Sequence, residues 1–232
     1  MSGKPKVLVG LTINDDAMRR LKEVADVDVV EESTIQTKEG LLKIIGDYDG
    51  AIVALPPFDK EVITKAKKLK IISRHGVGYD TIDIKAATER GIYVTITPVN
   101  SETVADLAFA LMLAAARRIP QAHVYVRSGH WRQRADRSAF IGVDLFGKIL
   151  GIIGIGRIGS LVAKRGKGFD MKILCYDIVR NKKLEEELSV QFRPLDQLLA
   201  EADFISIHVP LTKETKGLIG EKALRKMKKD AI

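Results

Sequence analysis

One stretch constrains the fold of this chain more than any other: residues 148–177, KILGIIGIGRIGSLVAKRGKGFDMKILCYD. An apolar run at 149–153 leads straight into Gly154-Ile155-Gly156-Arg157-Ile158-Gly159, and Ile158, Leu161, Val162 and Arg165 then recur at the three- and four-residue spacings of one helix face. A second apolar run at 172–176 delivers Asp177. Strand, glycine turn, helix, strand and acid, in that order, form the context in which G-x-G-x-x-G has meaning; a bare glycine motif would mark any turn. Gly154 suits the tight turn off the strand, Gly156 has no Cβ to keep a pyrophosphate away, and Gly159 lets the helix pack on the strand. The unpaired N–H groups and positive end of that helix then face a diphosphate. Asp177 stands near the offset of about 20 residues at which an acid bonds the ribose hydroxyls of an adenine dinucleotide. Its carboxylate repels a 2′-phosphate, which favours NAD over NADP, although Arg180, Lys182 and Lys183 follow closely and leave room for the phosphorylated form.

The rest of the composition is that of a globular chain. At 232 residues, 46% hydrophobic and 29% charged, it has the material for one large domain or two small ones. A formal charge of +8 suits anionic ligands. It does not point to nucleic acid, because the lysines and arginines are scattered, no aromatic residues interleave with them, and no nucleic-acid motif is present. The single cysteine, Cys175, lies inside the second strand of the nucleotide unit, so neither a disulfide framework nor a metal-ligand spacing exists, and a reducing cytoplasm fits. The N-terminal apolar run is too short for a signal peptide, and the apolar run at 107–116 falls short of the roughly 20 residues that span a bilayer. That run reads as a buried helix, with no membrane partner.

From the N-terminus, strand-like and helix-like patterns alternate: strands at 6–11, 27–30, 51–55, 71–73 and 93–96, helices at 15–24, 37–45, 59–68 and 83–90. This alternation predicts a parallel sheet covered by helices on both faces. Asp83 reads as an N-cap and Gly91 as a stop. Between the last two strands, Arg74-His75-Gly76-Val77-Gly78-Tyr79-Asp80 places two glycines just after a strand, where backbone N–H groups at the carboxyl edge of a sheet can hold a small anion. The same residues also suffice for an ordinary strand-to-helix turn. Thr97-Pro98 breaks the pattern, and a long apolar helix, with Ser101 as its cap and Glu102 and Asp106 at its positive end, runs to about residue 118. Its position suggests a hinge between two domains, with a ligand cleft beside it.

Residues 119–147 read as irregular and basic, with Arg127, Arg132, Arg134 and Arg137 around Trp131. They are either a solvated connection or an arm that wraps a partner subunit. After Asp177, a charged helix at 182–188, a strand at 190–192, a helix at 195–202 and a strand at 203–208 follow, then a helix at 221–228 and a strand start at Ala231. The strand ending at His208 borders the glycine turn, so Val209 and Pro210 pack on the nicotinamide half of a dinucleotide. His75 and His208 lie at strand ends, where either could substitute as a proton donor or simply bond a nearby backbone group, whereas His123 and His130 fall in the basic connection and read as solvated.

Taken together, Gly76-Val77-Gly78-Tyr79-Asp80, Thr97-Pro98, Thr103-Val104-Ala105-Asp106, Asp144-Leu145-Phe146-Gly147-Lys148, the glycine turn and His208-Val209-Pro210-Leu211-Thr212 resemble the D-isomer-specific 2-hydroxyacid dehydrogenases, and among them the glyoxylate and hydroxypyruvate reductases. The resemblance implies an α/β protein of two doubly wound parallel-sheet domains. These are a flavodoxin-like substrate domain at 1–99, a hinge helix at 100–118, and an NAD-binding Rossmann domain at 119–232 that stops before its last strands. It implies an NAD-dependent reductase of a small 2-keto acid, cytoplasmic and homodimeric through the nucleotide domain, with no metal. The Gly76, Val77 and Gly78 backbone would hold the substrate carboxylate, with Val77 near the nicotinamide. Arg157 and Ile158 would contact the pyrophosphate, Asp177 the ribose, and Val209 with Pro210 the cofactor face.

In the implied reaction an imidazolium protonates the keto oxygen as the nicotinamide hydride reaches the carbonyl carbon, and a guanidinium grips the carboxylate. The arginine, acid and histidine of that chemistry follow the strand that begins at Ala231, so no catalytic residue is assigned within the 232. Position 106 is Asp where many members have Glu, which reads as neutral at a helix start. Two other readings remain open: an NAD-binding fragment or regulatory protein without turnover, and a phosphoglycerate or formate dehydrogenase-like enzyme on the same plan.

Overall fold

Short runs rich in valine and isoleucine become strands here, and the polar residues before each amphipathic run become caps. The computed structural model describes residues 3–133 and 138–232, so Arg134 and Arg137 of the basic stretch lie outside the described residues. The chain divides into two compact units, Met1–Val99 and Asn100–Ile232.

The first unit is a five-stranded parallel sheet of β1 (Lys6–Val9), β2 (Asp26–Val29), β3 (Gly50–Val53), β4 (Ile71–Arg74) and β5 (Tyr93–Ile96) in the order β2-β1-β3-β4-β5. This is the flavodoxin-like order. Its helices are α1 (Asp15–Val24), α2 (Glu32–Ile35), α3 (Lys38–Ile44), α4 (Lys60–Lys65) and α5 (Ile84–Glu89). Four of them start on a side chain that accepts a first-turn N–H: Asn14 from Asp16, Thr37 from Gly40, Asp59 from Val62 and Asp83 from Ala86. Leu8, Val53 and Ile72 from the sheet bury against Ile35, Leu41 and Ile63. The strands are shorter than the apolar runs that encode them. β1 ends at Val9 and β3 at Val53, which leaves Leu55 exposed, because a residue past the end of the ladder has no neighbouring strand to bond.

In the second unit β6 (Ile149–Ile153), β7 (Lys172–Tyr176), β8 (Gln191–Phe192) and β9 (Phe204–Ile207) are parallel in the order β8-β7-β6-β9. The order reverses at β6, so the switch point at which such sheets take ligands lies between β6 and β9. The helices are α6 (Ser101–Ala116), α7 (Ile119–Arg127), α8 (Arg157–Gly168), α9 (Lys182–Leu188), α10 (Leu195–Glu201) and α11 (Glu221–Leu224). Alternation along β6 sends Leu150 and Ile152 into a core with α6 and α8, and Ile153 into a second core with Leu198 and Leu199 of α10. Of Ala231 and Ile232, Ile232 starts a further pairing, while the Ala231 N–H donates back to Lys228 O at 3.2 Å. The Ile232 N–H donates to Asp203 O at 3.0 Å, and the Ile205 N–H donates to Ile232 O at 2.8 Å.

Several local expectations change. Residues 119–127 are helical rather than irregular; Pro120 near the start fixes a helical φ, but none of the nine residues is buried, so the sequence carries no apolar stripe. Asn100, not Ser101, is the N-cap of α6, and its side chain makes no capping bond. Glu102 stands in the first turn of α6 as expected, whereas Asp106 lies beyond that turn. Both accept from Arg165 of α8, Asp106 Oδ1 from Nε at 2.7 Å and Glu102 Oε2 from Nη2 at 2.8 Å, clipping the two helices together. α11 ends at Leu224, short of residue 228.

Candidate functional site

The site in the second unit is built on one turn. Gly154 holds φ at +92°, and its N–H donates to Tyr176 O at 2.8 Å. A Cβ there would lie 2.8 Å from the carbonyl carbon and oxygen of His208 and 2.8 Å from Val209 Cγ1, so both the dihedral and the approach of the chain after β9 require glycine. A Cβ at Gly159 would overlap the Gly154 carbonyl oxygen, which sets how closely α8 lies against β6. Around Gly156 the space is open, with no atom within 4 Å of where a Cβ would stand. Gly156 is also the N-cap of α8, and no side chain caps that helix, so its leading N–H groups face outward beside Arg157, which is exposed, and Ile158, which is half-buried. A glycine-lined opening at an uncapped helix N-terminus fits a diphosphate.

Asp177 closes the turn from the end of β7. Its Oδ2 accepts the Ile155 N–H at 2.9 Å, and its Oδ1 accepts the Val179 N–H at 3.4 Å. The carboxylate thus orients the glycine turn as well as standing where the second strand ends, a role that spacing alone does not reveal. Gly154, Gly156, Arg157, Ile158, Gly159, Asp177, Val209 and Pro210 gather at the carboxyl ends of β6, β7 and β9. His208, at the end of β9, gives its N–H to Ile153 O at 2.7 Å and pairs its Nε2 with Ser206 Oγ at 2.8 Å. Burial lowers its pKa, so the ring is neutral near pH 7 and holds no proton ready for a keto oxygen. Cys175 lies buried in β7, its thiol pushed up to about 11 by that burial, and is chemically quiet.

Gly76, Val77 and Gly78 belong to the first unit, at the carboxyl end of β4. Here sequence reasoning missed the organising residue, Arg74. It is 7% exposed, its Nε donates to Gly78 O at 2.8 Å, and its Nη1 donates to His75 O. Thr97 adds its hydroxyl to Arg74 O at 2.8 Å and its N–H to Gly76 O at 2.9 Å. The loop carbonyls at 75, 76 and 78 are thereby all turned inward and engaged. Among the described residues no acceptor meets the N–H groups of Gly76, Val77 and Gly78, which leaves them available to an anion. The signal was legible in part: an arginine closing an otherwise apolar strand has to find partners when it is buried. His75 itself is exposed.

Residues 109–232 match the family model described as D-isomer specific 2-hydroxyacid dehydrogenase, NAD binding domain. The chain is 46% identical over 231 residues to the glyoxylate reductase of Korarchaeum cryptofilum, covering 99% of this chain and 70% of that protein. A glyoxylate reductase structure from Paecilomyes thermophila has a TM-score of 0.86 at 30% identity, over 99% of this chain and 72% of that one. The D-lactate dehydrogenase of Aquifex aeolicus, complexed with NAD and lactic acid, gives 0.83 at 31% identity, over 96% and 66%. The chain belongs to the D-isomer specific 2-hydroxyacid dehydrogenase family, NAD(H)-linked oxidoreductases of hydroxy acids.

Proposed function

We propose that this chain binds NADH through the glycine turn and Asp177 and serves the reduction of a small 2-keto acid, glyoxylate or hydroxypyruvate. The observation that carries the reading is the glycine turn itself, which leaves an uncapped helix N-terminus beside open space and is closed by an acid at the end of the next strand. The α8 N–H groups, with Arg157 and Ile158, hold the pyrophosphate; Asp177 accepts from the ribose hydroxyls; Val209 and Pro210 form an apolar wall for the cofactor. The N–H groups of Gly76, Val77 and Gly78 bind the substrate carboxylate. Residues 1–99 are accordingly the substrate domain, 100–118 the connecting helix and 119–232 the cofactor domain. The bound nicotinamide supplies the hydride. The test is NADH oxidation with glyoxylate, hydroxypyruvate, pyruvate and 3-phosphohydroxypyruvate in turn. Turnover fastest with the first two supports the reading; preference for the phosphorylated acid would replace it with a phosphoglycerate dehydrogenase-like activity, and NADH binding without any turnover with a regulatory role.

Replacing Asp177 with Ser is expected to weaken NADH binding by about 1–2 kcal/mol, the loss of a hydrogen bond to a charged acceptor, and to relax the rejection of NADPH. Calorimetric titration of both cofactors checks this. Equal affinities of the unsubstituted protein for the two would remove the role given to Asp177.

We also infer a homodimer formed through the second unit. α7 buries none of its residues and exposes Val124 and Val126, and the segment after it exposes Ile141 and Phe146. So much apolar surface on one stretch suits contact with a second copy. Val124→Glu with Val126→Glu is expected to shift the sedimentation of a dimer to that of a monomer; unchanged sedimentation would place the interface elsewhere. A cytoplasmic location fits the lone, buried free thiol of Cys175. Among the described residues no helix is long and apolar enough to cross a membrane.

A further inference from the structure

Three cations, Arg180, Lys182 and Lys183, follow Asp177 closely enough in sequence to neutralise a 2′-phosphate on the adenosine ribose. The structure separates them. Arg180 is locked to Glu185 in a two-pronged pair, Nε to Oε1 at 2.9 Å and Nη2 to Oε2 at 2.9 Å. Its guanidinium also lies 5.2 Å over the centre of the Phe192 ring on β8. Asn181 caps α9 by accepting the Leu184 N–H at 3.1 Å, which fixes the first turn so that Glu185 points back at Arg180. The Glu185 side chain is only 10% exposed, whereas that of Arg180 is 53% exposed. The glutamate is therefore the buried anchor of the pair, and the arginine is a cation at the surface whose charge is already cancelled.

Between Asp177 and Arg180 stand Ile178, 87% exposed, and Val179, 72% exposed. Neither side chain offers a donor. Lys182 and Lys183 are exposed in the first turn of α9, and Lys183 lies 3.8 Å from Glu187. As far as Arg180, the segment beyond the ribose acid thus presents a 2′-phosphate with a repelling carboxylate, two apolar side chains and a neutralised guanidinium.

We propose that Glu185 is a specificity-determining residue: by engaging Arg180 it disables the cation that would otherwise stabilise NADP, so rejection of the 2′-phosphate has two parts, repulsion by Asp177 and sequestration of Arg180. A fork-shaped guanidinium is the best side chain for a phosphate, and one whose Nε and Nη2 are held by a carboxylate has lost that side-on pair of donors and its net charge, keeping only the Nη1 and outer Nη2 N–H groups. Removing the Glu185 charge returns both the charge and the donors of Arg180 to the surface near the ribose acid.

This rests on the reading that Asp177 faces the ribose, and the experiment separates the two. NADH and NADPH are titrated calorimetrically into the unsubstituted protein, Asp177→Ser, Asp177→Ser with Glu185→Gln, and that pair with Arg180→Ala added. Adding Glu185→Gln to Asp177→Ser is expected to tighten NADPH on the order of tenfold, the scale of one charge-assisted hydrogen bond, while NADH moves by less than about threefold; adding Arg180→Ala abolishes the gain. A further variant, Asp177→Ser with Arg180→Met and Glu185→Leu, keeps the volume of the pair with apolar groups, remains folded by thermal melting, and gains no NADPH affinity. If Glu185→Gln moves both cofactors equally, or if the NADPH gain survives loss of Arg180, Glu185 is structural and the inference falls. If Asp177→Ser alone leaves NADH binding unchanged, the ribose reading falls and the inference with it.

Discussion

Replacing Gly159 with Ala is expected to destabilise the second unit by about 3 kcal/mol and to weaken NADH binding on the order of a hundredfold. The added Cβ would overlap the Gly154 carbonyl oxygen and sit 3.1 Å from the Gly154 carbonyl carbon and 3.2 Å from Ile152 Cγ2. The nearest of these are backbone atoms, so no rotamer relieves the clash. α8 has to lift from β6, which breaks the close packing of Val162 and Ala163 with Leu150 and Ile152. The same movement carries the leading N–H groups of α8 away from the pyrophosphate position, so stability and affinity fall together. Urea unfolding and NADH titration on the one variant measure both. A variant as stable as the parent with unchanged affinity would mean that helix and strand are not held by this contact.

The second large effect is expected at Arg74. Arg74→Met keeps the length and apolar stem but removes the guanidinium that holds the His75 and Gly78 carbonyls. Bonds from a charged donor contribute about 1.5–3 kcal/mol each, offset by the cost of burying the charge, which lowers the arginine's pKa. The net loss expected is about 2–3 kcal/mol in the first unit. Function should change selectively: the KM for the 2-keto acid rises at least about tenfold because the N–H groups of Gly76, Val77 and Gly78 lose their fixed directions, while the NADH dissociation constant stays within about twofold. Arg74→Lys rescues little, since one ammonium cannot reproduce the fork that spans both carbonyls. Equal losses for keto acid and NADH would show that Arg74 supports the fold in general and not the anion loop.

These two sites differ in how far the sequence disclosed them. The glycine turn was legible because its chemistry is local: Gly154, Gly156 and Gly159 lie within one strand-turn-helix, and the runs at 93–96, 172–176 and 182–188 coincide with β5, β7 and α9. The cap Asp83 announces itself for the same reason, whereas Asp59, read as the first helical residue, proves to be the cap of α4. What stayed hidden depends on contacts between distant segments or on an absent pattern. Arg165 reaching Glu102 and Asp106 joins residues far apart in sequence, and the His208 carbonyl pressing on Gly154 does the same across the sheet. Arg74 turns back into a loop whose carbonyl directions no periodicity encodes. α7 hid because a helix without a buried face has no stripe to read. Arg180 and Glu185 were visible as charges, but five residues is not a helix-face spacing, and only the capped start of α9 brings them together.

An NAD site at the turn from Gly154 to Gly159, closed by Asp177, requires that the chain bind NADH and discriminate against NADPH. The most direct test is calorimetric titration of the protein with NADH and with NADPH under one set of conditions. Saturable binding of one NADH per chain, with NADPH at least about tenfold weaker, is the result expected. No NADH binding by a folded protein, or NADPH binding as tight as NADH, would contradict it.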